Sequence, residues 1–132
     1  MTMTPKAHIL VVDDDNAFRL SLHKTLTAMG FSVFTARSAV EALALLRVQP
    51  IQLVFSDMRM PKMTGLELLK EIKQHYPDTP VVLVTAYNQS TSGIDALESM
   101  ASGYLNKPVK RHEILEVLKT FLDFDISEMK KQ

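Results

Sequence analysis

The sequence predicts an α/β protein, a doubly wound parallel sheet of five strands with five helices. Two observations support this fold class. Short, continuous apolar runs rich in β-branched residues recur along the chain, as in strands that are buried on both faces. Segments with apolar residues at helical spacing separate these runs. Such alternation requires right-handed crossovers, and therefore a parallel sheet covered by helices on both faces.

The predicted strands are apolar runs that end in polar or turn residues, and they are 8–12, 31–36, 51–56, 81–85 and 104–106. The predicted helices each carry an apolar stripe, and they are 16–29, 39–48, 66–76, 89–100 and 113–121. Leu66, Leu69, Ile72 and Lys73 trace the inward stripe of the third helix. Gly30 is expected to end the first helix, because glycine tolerates the left-handed conformation that follows many helices. Gly93 weakens the fourth helix, since an internal glycine costs about 1 kcal/mol relative to alanine.

Size and composition indicate one globular domain. The chain has 132 residues, of which 46% are hydrophobic and 23% are charged, as in ordinary soluble domains. Fifteen basic residues balance fifteen acidic residues, so direct binding of nucleic acid is not expected. Cysteine is absent, which excludes disulfides, thiolate nucleophiles and sulfur-ligated metals.

The sequence gives no sign of a membrane span or a signal peptide. Its apolar runs fall short of the roughly 20 residues that cross a bilayer, and residues 1–6 lack the apolar core of a signal peptide. A cytoplasmic location without membrane contact is therefore expected. The expected organisation is an N-terminal extension at 1–6, one domain at 7–122 and a polar C-terminal tail at 123–132.

Polar side chains stand at the carboxyl ends of four predicted strands. Asp13 and Asp14 follow the first strand, and Asp57 follows the third. Thr85 ends the fourth strand, and Lys107 follows the fifth. Ligands of doubly wound sheets bind beyond the carboxyl ends of the strands. We therefore expect these five side chains to converge at one edge of the sheet.

Crowded carboxylates repel one another and need a cation. Oxygen ligands without histidine or cysteine favour Mg²⁺, which also accepts phosphate oxygens as ligands. An aspartate beside such an ion can attack phosphorus and form an acyl phosphate. Mg²⁺ and Lys107 would neutralise charge on the transferred oxygens, and Thr85 can donate its hydroxyl to one of them.

Four segments resemble the receiver domains of bacterial two-component response regulators. They match that family in order and spacing, and they are ILVVDDD (9–15), LVFSDMRMPKMTG (53–65), VVLVTAY (81–87) and YLNKP (104–108). The resemblance covers residues 7–122 and implies the flavodoxin-like receiver fold with strand order 2-1-3-4-5. The strings DMRMP and TAY are more similar to receivers of the nitrogen-regulation type than to those of the chemotaxis type.

The resemblance implies a role for each residue of the acidic edge. Asp57 corresponds to the phosphoacceptor, Asp14 to a direct Mg²⁺ ligand and Asp13 to a ligand through water. The backbone carbonyl of Arg59 would complete the protein's share of the Mg²⁺ ligands. Lys107 would pair with the acyl phosphate, and the Lys-Pro peptide bond that follows it is expected to be cis.

The resemblance also implies a conformational switch and a set of partners. Thr85 would grip a phosphoryl oxygen, and Tyr104 would turn inward behind it. This would alter the face formed by the fourth helix, the fifth strand and the fifth helix. The phosphoryl donor would be a sensor histidine kinase or a phosphotransfer protein. The output would be a downstream domain, a partner protein or a phosphorylation-dependent homodimer. Such a domain catalyses only its own phosphorylation and dephosphorylation, so it is not expected to be an enzyme in the usual sense.

The lifetime of the phosphorylated state is expected to be long. Arg59 and Tyr87 stand two residues beyond Asp57 and Thr85, respectively. Both side chains are bulky, and neither is suited to orient an attacking water. Tyr87 in particular could shield the phosphoryl group from the in-line water that hydrolysis requires.

Other interpretations fit parts of the sequence. Asp13-x-Asp15 after an apolar strand also resembles the nucleophile motif of haloacid-dehalogenase-type phosphatases, with Asp123 and Asp125 as candidates for their later acidic pair. A receiver-like interaction module without phosphorylation is a further alternative. Asp15 can also cap the first helix, because aspartate accepts hydrogen bonds from the free amides of a helix start.

Overall fold

The described residues form five strands and four helices. The computed structural model describes residues 7–60, 63–86 and 100–122. The strands are β1 (His8–Val12), β2 (Ser32–Ala36), β3 (Leu53–Asp57), β4 (Val81–Thr85) and β5 (Gly103–Asn106). The helices are α1 (Asn16–Ala28), α2 (Ala39–Val48), α3 (Gly65–His75) and α4 (Arg111–Leu122). The predicted helix 89–100 lies outside the described residues except for its last position, so α4 corresponds to the fifth predicted helix.

The strands form a single sheet in the order β2-β1-β3-β4-β5. Every neighbouring pair is parallel, which confirms the predicted doubly wound sheet and its strand order. The order reverses between β1 and β3, since the chain first adds β2 on one side of β1 and then β3 on the other. The crevice at this switch point lies between the carboxyl ends of β1 and β3.

Two hydrophobic clusters cover the two faces of the sheet. Successive residues of a strand point to opposite faces, so Leu10 packs in the cluster with α2 and α3, whereas Val11 packs in the cluster with α1 and α4. The central strands are mostly apolar because both of their faces are buried. The two clusters therefore pack the sheet on both faces, which fixes the backbone that carries the side chains at its carboxyl edge.

Helix boundaries and stripes agree with the sequence in most places. Gly30 has a φ of 98° directly after the residue that caps α1, as predicted for its C-terminus. The expected inward position of Lys73 is wrong. Lys73 is only half-buried, and its ammonium group donates a hydrogen bond to the carbonyl of Thr79 at 2.9 Å. Leu68 instead joins Leu69 and Ile72 as a fully buried residue of α3.

The described helices are 10 to 13 residues long. In the part of the chain that the structure describes, no helix is long and apolar enough to span a membrane.

Candidate functional site

Backbone hydrogen bonds fix the chain where it leaves the central strands. The amide of Asp13 donates to the carbonyl of Ala36 at 3.0 Å, which extends the pairing of β1 with β2 by one residue. The amide of Met58 donates to the carbonyl of Val84 at 3.0 Å, one residue beyond β3. Asp57 is the last residue of β3, one residue later than the predicted strand end. Both loops therefore leave the sheet at defined positions, side by side.

The predicted acidic residues meet at this edge. Carboxylate oxygens of Asp13, Asp14 and Asp57 all lie within 4.8 Å of one another. The side chain of Asp13 is fully buried, that of Asp57 is 12% exposed, and Asp14 is exposed. The Oδ1 atom of Asp13 accepts a hydrogen bond from the amide of Asp15 at 2.9 Å. The carboxylate of Asp13 is thus fixed in the interior, that of Asp57 is largely buried, and that of Asp14 faces solvent.

Lys107 brings the predicted positive charge into the cluster. Its Nζ atom lies 2.8 Å from Oδ2 of Asp13 and 3.9 Å from Oδ1 of Asp57. Its amide donates to the carbonyl of Thr85 at 2.7 Å, and the Lys107-Pro108 bond is cis, as predicted. Lys107 therefore pairs more closely with Asp13 than with Asp57 in this structure.

The electrostatics of the site favour the neutral form of Asp57. Burial, followed by the neighbouring charge of Asp13, raises the pKa of Asp57 from 3.8 to about 6. Lys107 and the backbone amide of Arg59 act in the opposite direction. Burial alone would lower the pKa of Lys107, but the hydrogen bond and charge of Asp13, together with the charges of Asp57 and Asp15, raise it. The ionised form of Asp57 is therefore disfavoured by burial and by the neighbouring carboxylates, and Lys107 offsets these effects only in part.

The two predicted switch residues lie on neighbouring strands. Thr85 is the last residue of β4 and is 1% exposed. Tyr104 on β5 is 39% exposed, and its hydroxyl donates to the Sδ atom of Met58 at 3.4 Å. Met58 is buried and directly follows Asp57. Tyr104 thus contacts the residue that directly follows Asp57.

Comparison with known proteins identifies the family. The sequence matches the response regulator receiver domain over residues 9–119. The chain belongs to this family. In this receiver domain, Asp57 ends the third strand, where the resemblance in sequence placed the phosphoacceptor. The family assignment removes the support for a haloacid-dehalogenase-type phosphatase.

The chain is similar to one part of longer proteins. The transcriptional regulatory protein GlrR of Escherichia coli K12 is 35% identical over 89% of this chain, and the match spans 26% of GlrR. The DNA-binding transcriptional regulator NtrC of Klebsiella pneumoniae is 41% identical over 74% of this chain and 21% of its own length. This likeness agrees with the predicted similarity to receivers of the nitrogen-regulation type. The chain spans about a quarter of the length of these relatives.

Solved structures match nearly the whole receiver domain. A CheY-like receiver domain protein from Methanospirillum hungatei superposes with a TM-score of 0.82 at 31% identity, covering 96% of this chain and 99% of that one. The chemotaxis protein CheY4 of Vibrio cholerae gives a TM-score of 0.79 at 30% identity, covering 88% and 98% of the two chains. The fold therefore matches these receiver structures over most of the chain.

The donor set of the receiver domain fits a hard divalent cation. It supplies three carboxylates and no nitrogen or sulfur ligand within the described residues, which suits Mg²⁺. The buried Oδ2 atom of Asp13 accepts no hydrogen bond of good geometry, although Lys107 lies beside it. Asp14 and Asp57 would be available as direct ligands. The Arg59 carbonyl stays a predicted Mg²⁺ ligand. The contact that the structure gives for this residue is a hydrogen bond from its backbone amide to Asp57.

Asp15 does not join the cluster. Its Oδ1 atom accepts hydrogen bonds from the amides of Ala17 and Phe18 at 3.0 and 3.3 Å, so it is the N-cap of α1. Tyr87 lies outside the described residues, and the expected shielding of the phosphoryl group therefore stays a prediction.

Sequence reasoning missed two residues of α1 that contact the site. Arg19 is 8% exposed; its Nη1 atom donates to the carbonyl of Asp13 at 2.8 Å, and its Nη2 atom donates to Asn16. Phe18 lies under the ammonium group of Lys107, with 4.5 Å between Nζ and the ring centroid. The sequence does carry a weak indication of the Arg19 contact. Arg19 directly follows Phe18 of the apolar stripe, and an arginine at such a position can reach inward.

Proposed function

We propose that this receiver domain is a phosphoacceptor, and that Asp57 receives a phosphoryl group from the phosphohistidine of a sensor histidine kinase or a phosphotransfer protein. The observation that supports this proposal is the position of Asp57, beside two other carboxylates and 3.9 Å from the ammonium group of Lys107. In the transfer, an oxygen of Asp57 bonds to phosphorus as the nitrogen–phosphorus bond breaks. The imidazole nitrogen keeps the electron pair and takes up a proton.

The other site residues would stabilise the transferred charge. Lys107 lies between Asp13 and Asp57 and would move its ammonium group towards the phosphoryl oxygens when these add charge at Asp57. The buried hydroxyl of Thr85 would donate to one of those oxygens. A bound Mg²⁺, held by Asp13, Asp14 and Asp57, would offset the charge of the carboxylates and of the phosphoryl group.

A small phosphodonor tests the proposal without a kinase. Acetyl phosphate or phosphoramidate with Mg²⁺ is expected to produce an acyl phosphate that alkali or hydroxylamine removes, with the modification on the peptide that contains Asp57. Intact mass and peptide mapping after borohydride reduction make the measurement. Modification of Asp13 instead would support the phosphatase-type nucleophile, and an unmodified protein would support the interaction module.

Mg²⁺ affinity is expected to depend on Asp14 and on pH. An Asp14→Ala variant should bind Mg²⁺ at least about tenfold more weakly, because a direct ligand is lost. Binding by the wild type should weaken as pH falls through about 6, since Asp57 takes up a proton there. Titration calorimetry at several pH values measures both effects.

Asp15→Asn is the matched control for Asp14→Ala. It removes a neighbouring negative charge but keeps an oxygen that can cap α1. Its Mg²⁺ affinity should stay close to that of the wild type. Equal affinities for Asp14→Ala and the wild type would place the metal elsewhere.

Phosphorylation is proposed to shift a two-state equilibrium around β5. A phosphoryl oxygen that binds the hydroxyl of Thr85 would favour one position of the following loop. The contact of Tyr104 with Met58 links β5 to the residue next to Asp57, so Tyr104 would change its rotamer as that loop moves. The readout would be the face formed by the predicted helix 89–100, β5 and α4.

Beryllofluoride, a mimic of the phosphoryl group, is expected to change amide hydrogen exchange over residues 86–105. Hydrogen exchange with mass spectrometry, with and without beryllofluoride, makes the measurement. Residues 66–75 of α3 provide an internal reference and should change less. Identical exchange over 86–105 in the two samples would contradict the switch.

The output of the switch is proposed to lie outside the receiver domain. The chain spans about a quarter of relatives named as transcriptional regulators, which supports control of an output domain or a partner protein. A phosphorylation-dependent homodimer is an alternative form of output. Direct nucleic-acid binding is not proposed for this domain, because its charge is balanced. The proposed limits of the domain are 7–122, with extensions at 1–6 and 123–132.

A further inference from the structure

Phe18 contacts the ammonium group of Lys107 as well as the hydrophobic core. It belongs to the first turns of α1 and is half-buried against the hydrophobic cluster on that face of the sheet. The Nζ atom of Lys107 lies 4.5 Å from the centroid of its ring. This distance is within the range in which the negative face of an aromatic ring attracts an ammonium group.

Among the described residues, three groups lie beside the ammonium group of Lys107, and they act differently. The carboxylate of Asp13 at 2.8 Å and that of Asp57 at 3.9 Å both carry negative charge. The ring of Phe18 stabilises the cation without adding a formal charge and without accepting its N–H groups in ordinary hydrogen bonds. Lys107 is only 18% exposed, so the attraction is weakly screened by water.

We propose that Phe18 is a positioning residue for phosphorylation, which holds the ammonium group of Lys107 at the acidic cluster through its ring face. A further carboxylate in this place would also hold the cation, but it would repel the incoming phosphoryl group and compete for the N–H donors. An aliphatic side chain would fill the space but leave the cation with less stabilisation. The aromatic ring therefore keeps Lys107 buried, charged and free to donate to phosphoryl oxygens.

This inference rests on the proposed role of Asp57, and it concerns the rate of transfer rather than the binding of Mg²⁺. The ring of Phe18 contacts Lys107. Within the described residues, no contact is seen between this ring and the carboxylates of Asp13, Asp14 or Asp57. Loss of the ring should therefore slow phosphorylation while Mg²⁺ affinity changes little. A purely structural role would instead lower stability and would affect the two properties together.

The test compares Phe18→Leu with Phe18→Tyr. The Phe18→Leu variant should be phosphorylated by phosphoramidate roughly three- to tenfold more slowly, the rate equivalent of the strength of a partly buried cation–π contact. Phe18→Tyr keeps the ring face and should stay within about twofold of the wild type. Mg²⁺ affinity should differ by less than about twofold in both variants. Leu22→Val, a core change on the same helix, controls for lost stability and should be phosphorylated at the wild-type rate.

Proton NMR of Lys107 gives a second readout that does not depend on activity. Protons above an aromatic face are shifted to lower frequency, so the ε-methylene signal of Lys107 should move to higher frequency in Phe18→Leu and stay in place in Phe18→Tyr. Equal rates for Phe18→Leu and the wild type would overturn the inference. So would an equal loss in Leu22→Val, or a Lys107 signal that Phe18→Leu leaves unchanged. A wild type that is not phosphorylated at all would instead overturn the proposed function, and the NMR shift would still decide the contact.

Discussion

A Gly65→Ala substitution is expected to destabilise the fold by about 3 kcal/mol or more and to disturb Asp57, the proposed phosphoacceptor. Gly65 is the first residue of α3, and its amide donates to the carbonyl of Met58 at 3.0 Å. A Cβ atom at this position would lie 1.9 Å from the carbonyl oxygen of Asp57 and 2.9 Å from its carbonyl carbon. These are backbone atoms, so no side-chain rotation can relieve the clash.

Relief requires that either the end of β3 or the start of α3 moves. Movement of β3 displaces the Asp57 carboxylate, and catalytic groups tolerate little displacement. Movement of α3 disturbs its capping box, in which Thr64 and Glu67 each accept a hydrogen bond from the other's amide at 3.1 and 2.8 Å. Stability and phosphorylation should therefore fall together.

Gly103→Ala is the matched control for Gly65→Ala. A Cβ atom at Gly103 would approach a side-chain methyl group of Val82 at 3.3 Å, which a small shift can relieve. Urea unfolding and the rate of phosphorylation by acetyl phosphate should be measured for both variants. If Gly65→Ala proves no less stable than Gly103→Ala, the close approach of α3 to Asp57 does not constrain the site.

The sequence predicted the acidic edge because its members are fixed by the chain direction of the sheet. Asp13, Asp57 and Lys107 each follow or end an apolar strand, and parallel strands bring such positions to one edge whatever the packing of the helices. The order of strands and the role of each residue required the resemblance to a family as well. Periodicity alone does not say which side of β1 the third strand joins.

Contacts that depend on side-chain direction were not predictable in the same way. The three consecutive aspartates have nearly equal propensities, yet Asp13 is buried, Asp14 is exposed and Asp15 caps α1. Phe18 stands at helical spacing with Leu22 and Leu26, which indicates an apolar face but no contact with Lys107. Its contact with Lys107 joins residues 89 positions apart in the chain, and only the finished fold brings them together.

An Asp57→Asn variant is expected to lose phosphorylation and, without Mg²⁺, to be more stable than the wild type above pH 6. The pKa of Asp57 is raised in the fold from 3.8 to about 6, chiefly by burial and then by Asp13. Its proton therefore binds more tightly in the folded state. The stability linked to this proton is fully present below pH 3.8 and is lost as pH rises through about 6. Above that range the ionised carboxylate opposes folding.

Asparagine carries no charge, so the variant avoids this loss. The gain in the free energy of unfolding at pH 7.5 should be about 1–2 kcal/mol after allowance for partial exposure to water, which corresponds to a rise of roughly 3–10 °C in Tm. The gain should shrink towards pH 4, where the wild-type carboxyl is protonated in the fold. Mg²⁺ should also reduce it, because binding to the folded wild type stabilises that protein alone.

Thermal unfolding from pH 4 to 8, with and without Mg²⁺, measures the effect. Asp78→Asn, which neutralises an exposed aspartate in the turn before β4, is the control and should shift Tm by much less. The shape of the pH dependence separates charge from packing, since a packing gain from asparagine would persist at pH 4. A variant whose stability equals that of the wild type at every pH would mean that the negative charge around Asp57 costs the fold nothing, and the electrostatic basis proposed for Mg²⁺ binding would lose its support.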